Sequence, residues 1–93
     1  MLDVYWYDDA KERYLEWRRT DRRKFDKVNE LLEEIRGSKP YKGKGHPEPL
    51  TNNLSGFWSR RIDRKNRIVY AIDKQDGKSA VFILQCGTHY SQH

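Results

Sequence analysis

The sequence predicts an α+β domain, an N-terminal strand and two helices packed on an antiparallel sheet, and three observations predict it. Apolar and polar residues alternate over Leu2 to Trp6. Two stretches between Asp8 and Ile35 carry apolar residues at steps of three and four. Three runs after Gly56 have strand composition and are joined by turns. With 93 residues the chain has room for one domain of ordinary size, spanning 1–93. A core this small leans on its three tryptophans and six tyrosines.

Taken in order, Leu2, Val4 and Trp6 set against Asp3 and Tyr5 give the period-two pattern of a short strand with one buried face. Asp8 is placed to cap a helix whose apolar stripe is Ala10, Tyr14 and Trp17 and which ends near Thr20. Thr20 or Asp21 then caps a second helix that buries Phe25, Val28, Leu32 and Ile35, and Gly37 and Pro40 stop it. From Lys39 to Asn53 the chain holds all three prolines, Gly43 and Gly45, with Lys42, Lys44 and Glu48 among them. Loops on a rigid scaffold are where binding and catalytic groups collect, so this segment is the first functional candidate. The strands run Phe57 to Ile62, Arg67 to Asp73 and Ala80 to Cys86, with a polar turn at Asp63 to Asn66 and a tight one at Asp76-Gly77.

Lysine and arginine outnumber aspartate and glutamate by 19 to 14, a formal charge of +5. That balance favours a polyanionic partner, nucleic acid first, though an ordinary soluble surface accounts for it too. The basic run Arg18, Arg19, Arg22, Arg23 and Lys24 is a solvated face, an RNA contact, or both. Cys86 is the one cysteine; it ends an apolar run, where a buried free thiol is the common outcome, and it fits a reducing cytoplasm. Residues 1–10 lack the order of a signal peptide, and no segment is long enough to span a bilayer, so no membrane partner is expected. The chain lacks a convincing acidic or Cys/His ligand cluster, so neither a metal nor another cofactor is expected.

Burial selects the register of the first hairpin. With Arg61 opposite Arg67, the side chains of Trp58, Ile62, Ile68, Tyr70 and Ile72 share one face, a nearly continuous apolar surface for the helices to cover. The two arginines then stand side by side on the other face. Like charges placed so destabilise a pair by a few tenths of a kcal/mol, up to about 1. Either both are simply solvated, or an anion binds between them, as guanidinium groups bind phosphate oxygens in bidentate fashion. A two-residue turn at Asp76-Gly77 puts Phe82, Leu84, Cys86 and Tyr90 on the arginine face and Val81, Ile83 and His89 on the other. For His89 and Tyr90 to work in one site the strand must be irregular beyond Gly87.

Four stretches carry a resemblance: GKGHPEPL from Gly43 to Leu50, NLSGFWSRRI from Asn53 to Ile62, RIVYAI from Arg67 to Ile72, and His89-Tyr90 near the end. In this order, over nearly the whole chain, they resemble the YoeB family in the RelE superfamily of toxins. The resemblance implies a RelE-like, microbial-ribonuclease-like α+β fold and a homodimer. It also implies binding to the small ribosomal subunit and cleavage of the mRNA in the A site. A YefM-like antitoxin would neutralise the protein, and operator DNA would be contacted only through that antitoxin.

Carried over by position, the family's general base falls on Glu48, its arginines on Arg61 and Arg67, its general acid on His89 and its terminal tyrosine on Tyr90. The types suit the chemistry. Attack by a 2′-hydroxyl needs a base for that proton, cations for the charged phosphorane, and an acid for the departing 5′-oxygen. Tyr90 offers a ring for stacking a base and a hydroxyl for a phosphate. Lys42 and Lys44 add phosphate attraction. The chain departs from the family at Thr51, where relatives tend to carry lysine, and in Ser91, Gln92 and His93 after the tyrosine. Competing expectations are a non-catalytic RNA- or ribosome-binding module, a metal-dependent nuclease, and a DNA-binding regulator using the two helices, which lack a separate basic recognition helix.

Overall fold

The computed structural model describes residues 1–87. The first strand, β1 (Asp3–Trp6), buries one side and leaves Asp3 and Tyr5 exposed, as its alternation predicts. Its neighbour was not legible in that alternation. It pairs in parallel with the last strand, β5 (Lys78–Gly87), Val4 opposite Val81 and Trp6 opposite Ile83. The sheet is therefore mixed rather than wholly antiparallel, in the order β1-β5-β4-β3-β2, where β2 is Glu48–Pro49, β3 Trp58–Arg61 and β4 Arg67–Gln75. The three predicted antiparallel strands are β3, β4 and β5; β2 is an edge strand drawn from the proline-rich segment.

Two helices, α1 (Asp8–Thr20) and α2 (Arg22–Arg36), pack on one face of this sheet. Asp8 does not cap α1. Tyr7 holds the cap position without a side-chain bond, and Asp8 and Asp9 lie inside the first turn, where their charge still suits the helix dipole. Asp21 caps α2, its carboxylate accepting from the Lys24 amide at 3.3 Å and the Lys24 ammonium at 2.6 Å. Those two bonds hold the Asp21 carboxyl below its usual range. Thr20 instead turns its hydroxyl back to the Glu16 carbonyl, 2.9 Å away.

The core joins Ala10 and Trp17 of α1, Val28, Leu31, Leu32 and Ile35 of α2, and Ile62, Ile68, Tyr70, Val81, Ile83 and Cys86 from the sheet side. Leu31, Ile35, Ile68 and Ile83 are fully buried, each contributing about 1.5–3 kcal/mol by removal from water. At one end Trp6, Tyr14 and Phe25 stack in series, with ring centres 4.6 and 4.8 Å apart. Among the described residues no helix is long and apolar enough to cross a membrane.

A bulge between Val69 and Tyr70 changes the faces of β5. Tyr70 pairs with Ile83 but Val69 pairs with Gln85, so Leu84 is the extra residue. Phe82 keeps its place on the arginine face, stacked on Tyr5 at 5.4 Å. Cys86 moves to the covered face, opposite Ile68 and only 7% exposed, while Gln85 and Gly87 take the arginine face. The run Val81-Phe82-Ile83-Leu84 holds no polar residue to mark the extra position, which is why strict alternation misplaced Cys86. Burial pushes the Cys86 thiol up to about 12, against an opposing effect from Arg13.

Candidate active site

The register that brings Arg61 and Arg67 together is set by the turn between them. Asp63 turns its carboxylate onto the backbone, accepting from the amides of Lys65 and Asn66, each at 2.8 Å, and from the Asn66 side chain at 3.0 Å. The Ile62 amide donates to the Asn66 carbonyl at 2.8 Å and closes the loop. Burial raises the pKa of Asp63, but these bonds outweigh it and leave the carboxyl below its ordinary value. Arg61 and Arg67 emerge directly opposite one another, Arg61 exposed and Arg67 half-buried.

Glu48 reaches the same face from the other side of β3. Gly45 turns the chain onto the β3 edge, its carbonyl accepting from the Arg61 amide at 2.6 Å. With φ +82° and a β-carbon position only 2.9 Å from the Arg61 carbonyl oxygen, residue 45 has no room for a side chain. His46 follows, exposed and at φ +55°, a strained conformation for a non-glycine residue. Two residues on, Glu48 pairs with Ser59, and the row continues through Val69 to Gln85. The next row is Arg61, Arg67 and Gly87. Side chains in one row stand about 4.5–5.5 Å apart and diagonal ones about 7–8 Å, so Arg61 and Arg67 are direct neighbours and Glu48 is a diagonal neighbour of Arg61, one strand further from Arg67. Among the described residues none of the three makes a salt bridge. His89 and Tyr90 lie outside the described residues.

Lys42 and Lys44 are exposed but stand apart from this row. The Lys44 ammonium lies 3.5 Å from the Glu30 carboxylate on α2, a solvent-screened contact. Three residues near the site were not singled out from the sequence. Arg60 is fully buried on the helix side, although the register that turns Ile62 and Ile68 inward already turns it inward as well. Gln85, in line with Glu48, has a buried Oε1 without a hydrogen-bond partner among the described residues. Arg13 of α1 places its guanidinium 3.3 Å from the point where a Gly87 side chain would begin. Neither Gln85 nor Arg13 has a sequence signal, since both depend on the bulge and on helix placement.

A carboxylate beside two arginines that make no salt bridge among the described residues, on a small mixed sheet backed by two helices, marks a compact α+β protein. Residues 6–90 match the family described as YoeB-like toxin of bacterial type II toxin-antitoxin system. Toxin YoeB of Escherichia coli K12 is 43% identical over 89 residues, covering 96% of this chain and all of that one. A YoeB dimer from Staphylococcus aureus superposes with a TM-score of 0.83 at 35% identity, covering 96% of this chain and 98% of that one. A YoeB-YefM complex from the same organism gives 0.84 at 34%, covering 97% and 99%. The fold is RelE-like, and the molecule is of the type II toxin class. The chain belongs to the YoeB-like toxin family.

Proposed function

We propose that this toxin is a ribosome-dependent endoribonuclease that cleaves mRNA at the A site without a catalytic metal. Glu48 takes the proton of the 2′-hydroxyl, whose oxygen forms a bond to phosphorus. Arg61 and Arg67 neutralise the charge gathering on the phosphorane oxygens. His89 gives a proton to the 5′-oxygen as its bond to phosphorus breaks, leaving a 2′,3′-cyclic phosphate and a 5′-hydroxyl. Tyr90 stacks a base and bonds a phosphate, and Lys42 and Lys44 draw the strand in. The observation that carries this reading is the Arg61-Arg67 couple, without an ion pair among the described residues, one row from Glu48.

The YoeB dimer and the YoeB-YefM complex from S. aureus support a homodimer and a YefM-like antitoxin as partners of this chain. Operator DNA would be met only through the antitoxin, and the small ribosomal subunit with its mRNA is the target, in the cytoplasm. The test is primer-extension mapping of a defined messenger on translating ribosomes, comparing wild type with Glu48→Ala and His89→Ala. Wild type is expected to cut at the A-site codon and each variant to lose about 10²- to 10⁴-fold in rate. Ribosomes that bind the wild-type protein while the messenger stays whole would instead make it a non-catalytic binding module.

A further inference from the structure

We propose that Arg60 is the positioning residue of this site: it fastens the segment from Lys39 to Gly45 against the sheet, so that Glu48 is held in line with Arg61 and Arg67. The proposal rests on the ribonuclease reading for its catalytic consequence. Arg60 is 0% exposed, and every nitrogen of its guanidinium is used. Nε donates to the Tyr70 hydroxyl at 3.2 Å. Nη1 donates to Glu34 Oε1 at 2.7 Å and to the Lys44 carbonyl at 3.2 Å. Nη2 donates to the Lys42 carbonyl at 2.7 Å and to the Lys39 carbonyl. Three carbonyls of one loop thus converge on a single planar group, an arrangement that needs a fork of fixed donors rather than a point charge.

The partners of Arg60 hold the same loop a second time. Glu34 accepts from the Lys44 amide at 2.9 Å, and the Tyr70 hydroxyl donates to the Pro40 carbonyl at 2.6 Å. The loop has no regular secondary structure between Gly37 and Pro47, and Lys42 and Lys44 are exposed. Its fixed shape therefore comes from these bonds. Where they end, the Gly45 carbonyl takes the Arg61 amide, and Glu48 stands three residues further along. An apolar side chain at position 60 would fill the space without the desolvation penalty of a charge, but it would leave three loop carbonyls unmatched and the base unheld. Small errors in the placement of a reacting group are costly to rate even when binding is unaltered.

The experiment compares Arg60→Lys and Tyr70→Phe, each alone and combined with Glu48→Ala, on ribosomes loaded with a defined messenger. The readouts are the single-turnover rate at saturating protein, the concentration for half-saturation, and hydrogen exchange over residues 39–48. Arg60→Lys is expected to slow saturated cleavage about 10- to 100-fold, to move half-saturation by less than about 3-fold, and to add nothing in the Glu48→Ala background. Exchange over 39–48 should rise while the core amides stay protected. Tyr70→Phe, which removes two of the bonds and no charge, should give the same pattern at about 3- to 10-fold and decides the matter if Arg60→Lys does not fold. Equal losses with and without Glu48, or unchanged exchange over 39–48 while the wild type cleaves, overturn the positioning role. A wild type that leaves the messenger whole overturns the ribonuclease reading itself, and the catalytic part of this proposal with it.

Discussion

The two faces of β3 treat the same side chain in opposite ways. On the helix side Arg60 is 0% exposed and meets a carboxylate, a phenol and three carbonyls. On the other side Arg61 is exposed, stands opposite Arg67, and among the described residues has no ion pair. One residue of pleat separates them. A guanidinium is buried only where the fold supplies an acceptor for every donor, and here α2, β4 and the loop from Lys39 to Lys44 do so together. Where the fold supplies another cation instead, the donors find no carboxylate among the described residues. The first arrangement builds a scaffold, and the second is the one the proposed reaction would use for a phosphate.

The largest effect that would break this contrast is on stability. Arg60→Met keeps an unbranched apolar stem but strands Glu34, 17% exposed at its side chain, without its cation and three loop carbonyls without a donor. Removing one partner of a buried pair costs about 3–5 kcal/mol, and urea unfolding should show a loss of that order with little change in slope. A loss below about 1 kcal/mol, the scale of a surface change, would mean that Arg60 is no more structural than its neighbour.

Much of this contrast was written in the sequence, and the part that was not has physical causes. Alternation along Trp58, Ile62, Ile68, Tyr70 and Ile72 chose the register, and the Asp63-Asn66 turn enforces it. The same alternation contained Arg60, but an inward arginine is readable only once its acceptors are known, and these come from α2, β4 and the loop. The parallel pairing of β1 with β5 was hidden because a strand's burial pattern does not name its neighbour. The bulge at Leu84 was hidden because the run around it is apolar on both faces. Of the candidate site, Glu48, Arg61 and Arg67 are brought to one face. Lys42 and Lys44 sit apart from that row, and His89 and Tyr90 fall outside the described residues.

A smaller effect concerns acid. The Lys44 amide lowers the pKa of Glu34, burial opposes this, and the Arg60 guanidinium adds to the lowering, so the carboxyl titrates below its ordinary 4.5. A carboxylate lowered in the folded state contributes stability that is present above its unfolded value and is lost as pH falls through the folded one. Stability should therefore decline as pH drops below 4.5. Asp21, Glu30 and Asp63 are lowered too, so Glu34→Gln should make the decline shallower without abolishing it. A slope the same as wild type in unfolding curves from pH 6 to about 3, well below the reference value of an ordinary carboxylate, would show that the Arg60 cluster does not depend on the Glu34 charge.

The smallest effect lies on the open face and has the opposite sign. Arg61→Gln removes one of two like charges placed side by side and no bond to a carboxylate among the described residues. Stability in dilute buffer should rise by a few tenths of a kcal/mol, up to about 1. The gain should vanish as salt shortens the screening length from about 30 Å at 0.01 M to about 3 Å at 1 M. Inorganic phosphate, bound between the two guanidinium groups, should raise the melting temperature of wild type more than that of the variant, since a ligand stabilises only the state that holds it. If Arg61→Gln instead loses stability at every salt concentration, the exposed arginine is a structural element like Arg60, and the repulsion between Arg61 and Arg67 is not what keeps the pair open to an anion.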